Sequence, residues 1–186
     1  MRFNNATTEA VAKLRHTSSM HYFTGGSTLP LPLPPGTIAA HIRGGDKGSE
    51  MKLVAPAHYA EAAADLIKLM PNSFASRVFF VSAGDEAAID ECRALAEKQR
   101  LPFAYTHLHR QVGGHKLGEW RRQSDIEAAF HGHLLQLLMS LEADAWIGTR
   151  GSNWNRLIDE LRCVWVDKCS KSYVEVGGQR LGTFSW

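Results

Sequence analysis

Apolar residues recur along this chain in two rhythms: short runs that break into glycine-rich or acidic turns, and longer stretches with apolar positions three and four apart. Residues 37–42 are β-branched and apolar with one histidine, His41, and predict a buried strand. Residues 56–69 place Tyr59, Ala62, Ala63, Leu66 and Ile67 on one side of a helix. A second buried strand is expected at 77–82, a helix burying Ile89, Cys92 and Leu95 at 86–99, and a short third strand at 102–105. Between 124 and 141, Ile126, Ala129, Phe130, Leu134, Leu137, Leu138 and Leu141 form one apolar face, which predicts a long helix packed on the sheet. Residues 145–148 predict a fourth strand and a helix follows to about 161. Residues 163–167 predict a fifth strand, with 173–176 pairing at an edge. Such strand–helix alternation predicts an α/β fold with a parallel sheet and right-handed crossovers.

Ahead of the first strand the pattern weakens. Residues 8–15 predict a short helix with Ala10, Val11 and Leu14 on one side, and residues 16–36 turn to Ser, Thr, Gly and Pro. The prolines between 29 and 36 remove donors and restrict their predecessors, so that stretch is extended or turn-like. The expected organisation is a lead-in with a proline-rich linker, 1–36, and one domain, 37–186.

Composition narrows the function classes. At 186 residues, 44% hydrophobic and 22% charged, the chain has the balance of one soluble globular domain. A net charge of +2 with no Lys/Arg run argues against a nucleic-acid partner. No stretch is long and apolar enough to span a membrane, and the start lacks the hydrophobic run of a signal peptide, so the expectation is a cytosolic protein or part of a longer one. Cys92, Cys163 and Cys169 form no metal pattern; Cys163 and Cys169 can close a small disulfide in an oxidising compartment, against the default that buried thiols stay free.

Charge concentrates where the first strand ends, in Arg43-Gly44-Gly45-Asp46-Lys47 with Glu50 close behind. Crevices beyond the carboxyl ends of parallel strands are where ligands bind in open α/β sheets. Arg supplies a planar fork of donors, Lys a point charge, and glycines let backbone amides approach, which suits a phosphate. A tight turn closed by an Arg–Asp surface pair is the structural alternative. Asp85 and Glu86 stand at the next strand end, where capping a helix is sufficient reason for acids. Thr149-Arg150-Gly151-Ser152-Asn153 turns from the fourth strand into a helix, so Gly151, Ser152 and Asn153 offer amides, a dipole end and a hydroxyl to an anion, with N-capping by Ser152 as the second reading. His107 and His109 alternate onto one face of a polar glycine-rich loop, 107–118, without the further ligand a metal needs. His131 and His133 lie about 200° apart around their helix and cannot share one ion.

His41-Ile42-Arg43-Gly44-Gly45-Asp46-Lys47 resembles the His-Val-Arg-Arg-Thr-Asp-Lys motif of the α1,6-fucosyltransferases and the related bacterial nodulation fucosyltransferases, identical at four of seven positions. Residues 143–156 resemble that family's later strand and its Thr-x-Ser-Ser-Gln-x-x-Arg turn, in the same order and at a similar separation. The resemblance covers roughly 37–161. It implies a Rossmann-like donor-binding domain, one half of a two-domain glycosyltransferase that binds GDP-fucose and transfers fucose with inversion to a glycan or protein acceptor. It implies no obligatory metal and no cofactor beyond the donor substrate. By this likeness Arg43 is the phosphate clamp, Lys47 an electrostatic partner of Asp46 and Glu50, and Glu50 the candidate base, one residue nearer its Lys than in the family. His41 matches a donor-pocket position, or else is a buried hydrogen-bonded histidine; Gly44, Gly151, Ser152, Asn153 and Asp85 complete the donor side. A Golgi lumen is implied for a longer eukaryotic enzyme, a cytoplasmic setting for a bacterial one. Two departures, Gly44 where the family has a second Arg and Gln136 where it has a base-facing acid, imply altered donor choice or an inactive, non-catalytic nucleotide- or sugar-binding relative.

Overall fold

The computed structural model of the protein describes residues 4–17, 32–44, 52–106 and 123–177. The elements run α1 (Asn5–Thr17), β1 (Ile38–Ile42), α2 (Pro56–Leu69), β2 (Phe79–Ala83), α3 (Glu86–Lys98), β3 (Phe103–Tyr105), α4 (Gln123–Glu142), β4 (Ala145–Gly148), α5 (Asn153–Val164) and β5 (Ser172–Glu175). The five strands form one sheet in the order β3-β2-β1-β4-β5, and every described pairing is parallel. The strand order reverses between β1 and β4, which creates a crevice at their carboxyl ends.

Pleating sorts side chains into two cores. Ile38, Ala40 and Ile42 of β1, Phe79, Val81 and Ala83 of β2, and Ala145 and Ile147 of β4 face α2 and α3. Ala39, Phe80, Ala104 and Trp146 face the other way, onto Leu134, Leu135, Leu137, Met139 and Leu141 of α4 and Ile158 of α5. Because β1 and β2 are buried on both faces, their sequences read as continuous apolar runs.

Part of the expected lead-in lies against this second core. Val11 of α1 and Leu33 are buried there. Arg15 forks onto both carboxylate oxygens of Glu142, which also accepts the Leu33 amide at 2.8 Å; Asp144 accepts the Gly36 amide at 2.7 Å.

Three expectations need correction. Residues 163–167 are not a strand: Cys163 and Val164 close α5, and the fifth strand is Ser172–Glu175, parallel to β4. The run Cys-Val-Trp-Val suits either element by propensity, and Arg162 decides. Its guanidinium is buried, accepted by Asp159 at 2.7 Å and by the carbonyls of Lys168, Cys169 and Lys171 at 2.8–3.2 Å, which folds 165–171 back into a turn. Cys163 and Cys169 are disulfide-bonded across that turn, leaving Cys92 as the buried free thiol. The apolar face of α4 does not run its full length into the core: Ile126 is 42% and Phe130 55% exposed, and burial of the hydrophobic face begins at Leu134. Among the described residues no helix is long and apolar enough to cross a membrane.

Candidate functional site

The carboxyl ends of β1 and β4 lie side by side, so Arg43, which follows β1, and residues 149–153, which follow β4, belong to one crevice. The first turn of α5 is tied directly to β1, since Asn155 donates from Nδ2 to the His41 carbonyl at 3.1 Å. Gly148 makes that approach possible. A Cβ there would stand 2.7 Å from Cγ and Oδ1 of Asn155 and 2.9 Å from the Tyr173 hydroxyl.

The turn into α5 is built by Thr149. Its carbonyl accepts the Ser152 amide at 2.9 Å, and its Oγ1 accepts the Gly151 amide at 3.3 Å. Ser152 occupies the N-cap position with extended backbone, as expected, but its side chain makes no capping bond. Instead Oγ is buried, in a residue 4% exposed, without a hydrogen-bond partner among the described residues. A buried hydroxyl left unpaired costs about 1–3 kcal/mol, and this one stands at the start of α5, where the first-turn amides also lack intrahelical partners. Asn153, the next residue, is exposed and its Oδ1 accepts from Arg156. Arg150 turns out of the crevice: it donates to Asp159 from Nε at 2.9 Å and from Nη2 at 2.8 Å, and lies 4.4 Å over the Tyr173 ring.

His41 sits at the base of this crevice, 8% exposed, with Nδ1 3.0 Å from the Ser82 hydroxyl, which in turn donates to the Ala40 carbonyl. Burial first, then the charges of Arg43 and His133, push its pKa down to about 3, so the imidazole is neutral. Asp85 caps α3 by accepting the Ala87 amide at 3.0 Å. It also borders Gly44, where an added Cβ would lie 3.7 Å from its Oδ2, so the cap and the β1 turn share one edge. Gln136 is buried and donates to Thr106 Oγ1 at 3.2 Å, which commits it to packing between α4 and the end of β3.

Arg43, Gly44, His41, Gly151, Ser152, Asn153 and Asp85 therefore all fall along the carboxyl edge of the sheet. Asp46, Lys47 and Glu50 lie outside the described residues, as do His107 and His109. Two residues of the crevice carry no sequence signal of their own. Trp154 packs its ring 6.0 Å from His41 and 6.0 Å from His133, and its buried indole Nε1 has no hydrogen-bond partner among the described residues. His133 reaches the site from α4, a placement that helical spacing alone does not reveal.

No family model matches the sequence, and no curated protein matches it at a significant level. Solved structures do. The chain is similar to POFUT1 in complex with GDP-fucose, with a TM-score of 0.50 and 13% identity over 95% of this chain and 48% of that one. It is also similar to the apo-form of POFUT1 (TM-score 0.49, 13% identity, 95% and 47% covered) and to POFUT1 in complex with GDP (0.48, 14%, 95% and 49%). At such identity the likeness is one of fold: an α/β, fucosyltransferase-like arrangement of a parallel sheet between helices. The chain spans about half the length of the solved structures it matches.

Proposed function

We propose that this chain is the donor-binding half of a fucosyltransferase-like glycosyltransferase, related to the α1,6-fucosyltransferases, whose β1/β4 crevice binds the diphosphate of GDP-fucose. The observation that carries this reading is the buried Ser152 hydroxyl at the start of α5, which has no hydrogen-bond partner among the described residues. It stands where the first-turn amides of that helix also point and where the adjoining strand ends in Arg43. Two neutral donor groups and one cation suit a diphosphate better than a neutral ligand. The fold shared with POFUT1, whose solved structures hold GDP or GDP-fucose, supports the choice of nucleotide sugar.

In the transfer, the acceptor hydroxyl oxygen bonds to the anomeric carbon of fucose while the bond from that carbon to the diphosphate breaks on the opposite face, inverting the centre. The acceptor proton passes to a carboxylate, for which Glu50 is the candidate, with Lys47 and Asp46 as its electrostatic companions. GDP departs with the bonding electron pair, and its charge is met by Arg43 and the α5 terminus. The expected chemistry needs no metal. Glycine at position 44 favours a second reading, a module that binds the nucleotide sugar without turning it over, because the family's second cation is absent.

Calorimetric titration with GDP and UDP, each with and without EDTA, tests the donor reading. Selective, EDTA-insensitive GDP binding that Arg43→Ala abolishes is the expected result. Unchanged GDP binding by Arg43→Ala would sink it. Loss of GDP-fucose turnover with retained binding in Glu50→Gln separates the transferase from the binding module.

A further inference from the structure

Three rings stand in series beside the α5 terminus, from β1 through the first turn of α5 to α4. His41 is tilted against Trp154 at 47°, and Trp154 meets the edge of His133 at 63°, each pair with centroids 6.0 Å apart. The three differ in what they can offer. His41 is buried and its Nδ1 is engaged by Ser82. Trp154 can only donate. His133 is exposed, so its ring can meet a ligand entering the crevice from solvent. Its neighbour on α4, His131, turns elsewhere, with its ring 5.7 Å from Phe130.

We propose that His133 is a ligand-contacting residue of this site, taking up a proton as a diphosphate binds and joining Arg43 as its second cation. This inference rests on the donor-site reading above and assigns a residue that neither motif contains. Among the described residues, the groups that bear on His133 are Arg43 and His41 from the end of β1; α5 presents the uncharged Trp154. With no ligand bound, partial desolvation where the ring packs on Trp154 and, second, the Arg43 charge hold His133 below its ordinary value although the residue is open to solvent, so it is neutral near pH 7. A diphosphate reverses the balance, because it neutralises Arg43 and brings negative charge against the ring. The protonated form is then favoured, and binding and protonation help each other by linkage. The position of the second cation also bears on Gly44: a charge missing from the β1 turn is replaced from α4, and only when ligand is present.

The test is titration with GDP at pH 6 and pH 8 in buffers of different ionisation enthalpy, on the full chain, its His133→Asn variant and its His133→Lys variant. GDP titrates itself, so the readout is the difference between proteins. The full chain is expected to take up a fraction of a proton per GDP and to gain about three- to fivefold in affinity between pH 8 and pH 6 that His133→Asn does not, which is what one pKa unit of coupling delivers at pH 6, the full tenfold being reached only below both pKa values. His133→Lys is expected to bind with a fixed cation and without that uptake. Equal proton uptake by the full chain and His133→Asn overturns the inference and leaves the donor site standing. Absence of GDP binding at both pH values overturns the donor reading and this inference together.

Discussion

Acid should destabilise this fold through His41 in particular. In the unfolded chain its pKa is the ordinary 6.5; in the folded protein it is about 3, because burial and the charge of Arg43 oppose protonation. Between those values the unfolded chain binds a proton that the native state refuses. The stabilisation is therefore complete above 6.5 and is lost as pH falls toward 3. A descent from pH 7.5 to 5 crosses enough of that window to remove about 2 kcal/mol from this one side chain. Urea melts at both pH values measure the total loss, and the same melts on His41→Asn isolate the histidine, since carboxylates common to both proteins cancel. Asn places a hydrogen-bonding atom near the position of Nδ1, so the Ser82 hydroxyl keeps a partner. The full chain should lose about 2 kcal/mol more than the variant. If the two lose the same amount, His41 is not held neutral by its surroundings, and the description of the crevice floor is wrong.

The remaining predictions concern the turns around the crevice. Ser152→Ala should leave the melting midpoint almost unmoved, because no capping bond is lost and the usual cost of about 1 kcal/mol does not apply; GDP affinity should fall by about tenfold, as for a lost hydrogen bond to a charged group. A drop in stability without a drop in affinity would show that the hydroxyl serves the helix instead. Gly148→Ala drives a methyl into the Asn155 amide and should cost about 1–3 kcal/mol in a chemical melt, so a neutral result would contradict the tight contact between β4 and α5. Arg162→Ala removes a buried guanidinium from Asp159 and three carbonyls and should cost about 3–5 kcal/mol; a cost typical of an exposed residue would mean the 165–171 turn is held by something else.

Much of the scaffold was legible because the relevant residues obey one period at a time. Strand 145–148 and helix 56–69 coincide with their expected limits, since an apolar run between turn residues and an i, i+3, i+4 stripe after a proline each admit one interpretation. Asp85 as a cap was also readable, from an acid standing just ahead of a helical pattern. The run 163–167 was not, because Val and Trp serve a strand or a helix end equally and the deciding partner, Arg162, acts through carbonyls several residues away. Phe130 and Ile126 continue the apolar stripe of α4, yet the sheet does not extend to cover them, and extent of contact is not written in periodicity. Within the crevice, Arg43 and Ser152 could be named from local motifs, whereas Trp154 and His133 meet only through the packing of α4 and α5. Asp46, Lys47 and Glu50 stand on the motif alone.

The proposed donor site seats a diphosphate between Arg43 and the start of α5, at the point where the strand order reverses. Backbone amide resonances followed by heteronuclear NMR during addition of GDP report on this directly. The largest shifts are expected at Arg43, Gly44 and residues 151–154, with little change at β3 on the sheet edge. Shifts concentrated away from the β1 and β4 ends, with Ser152 unmoved, would contradict it.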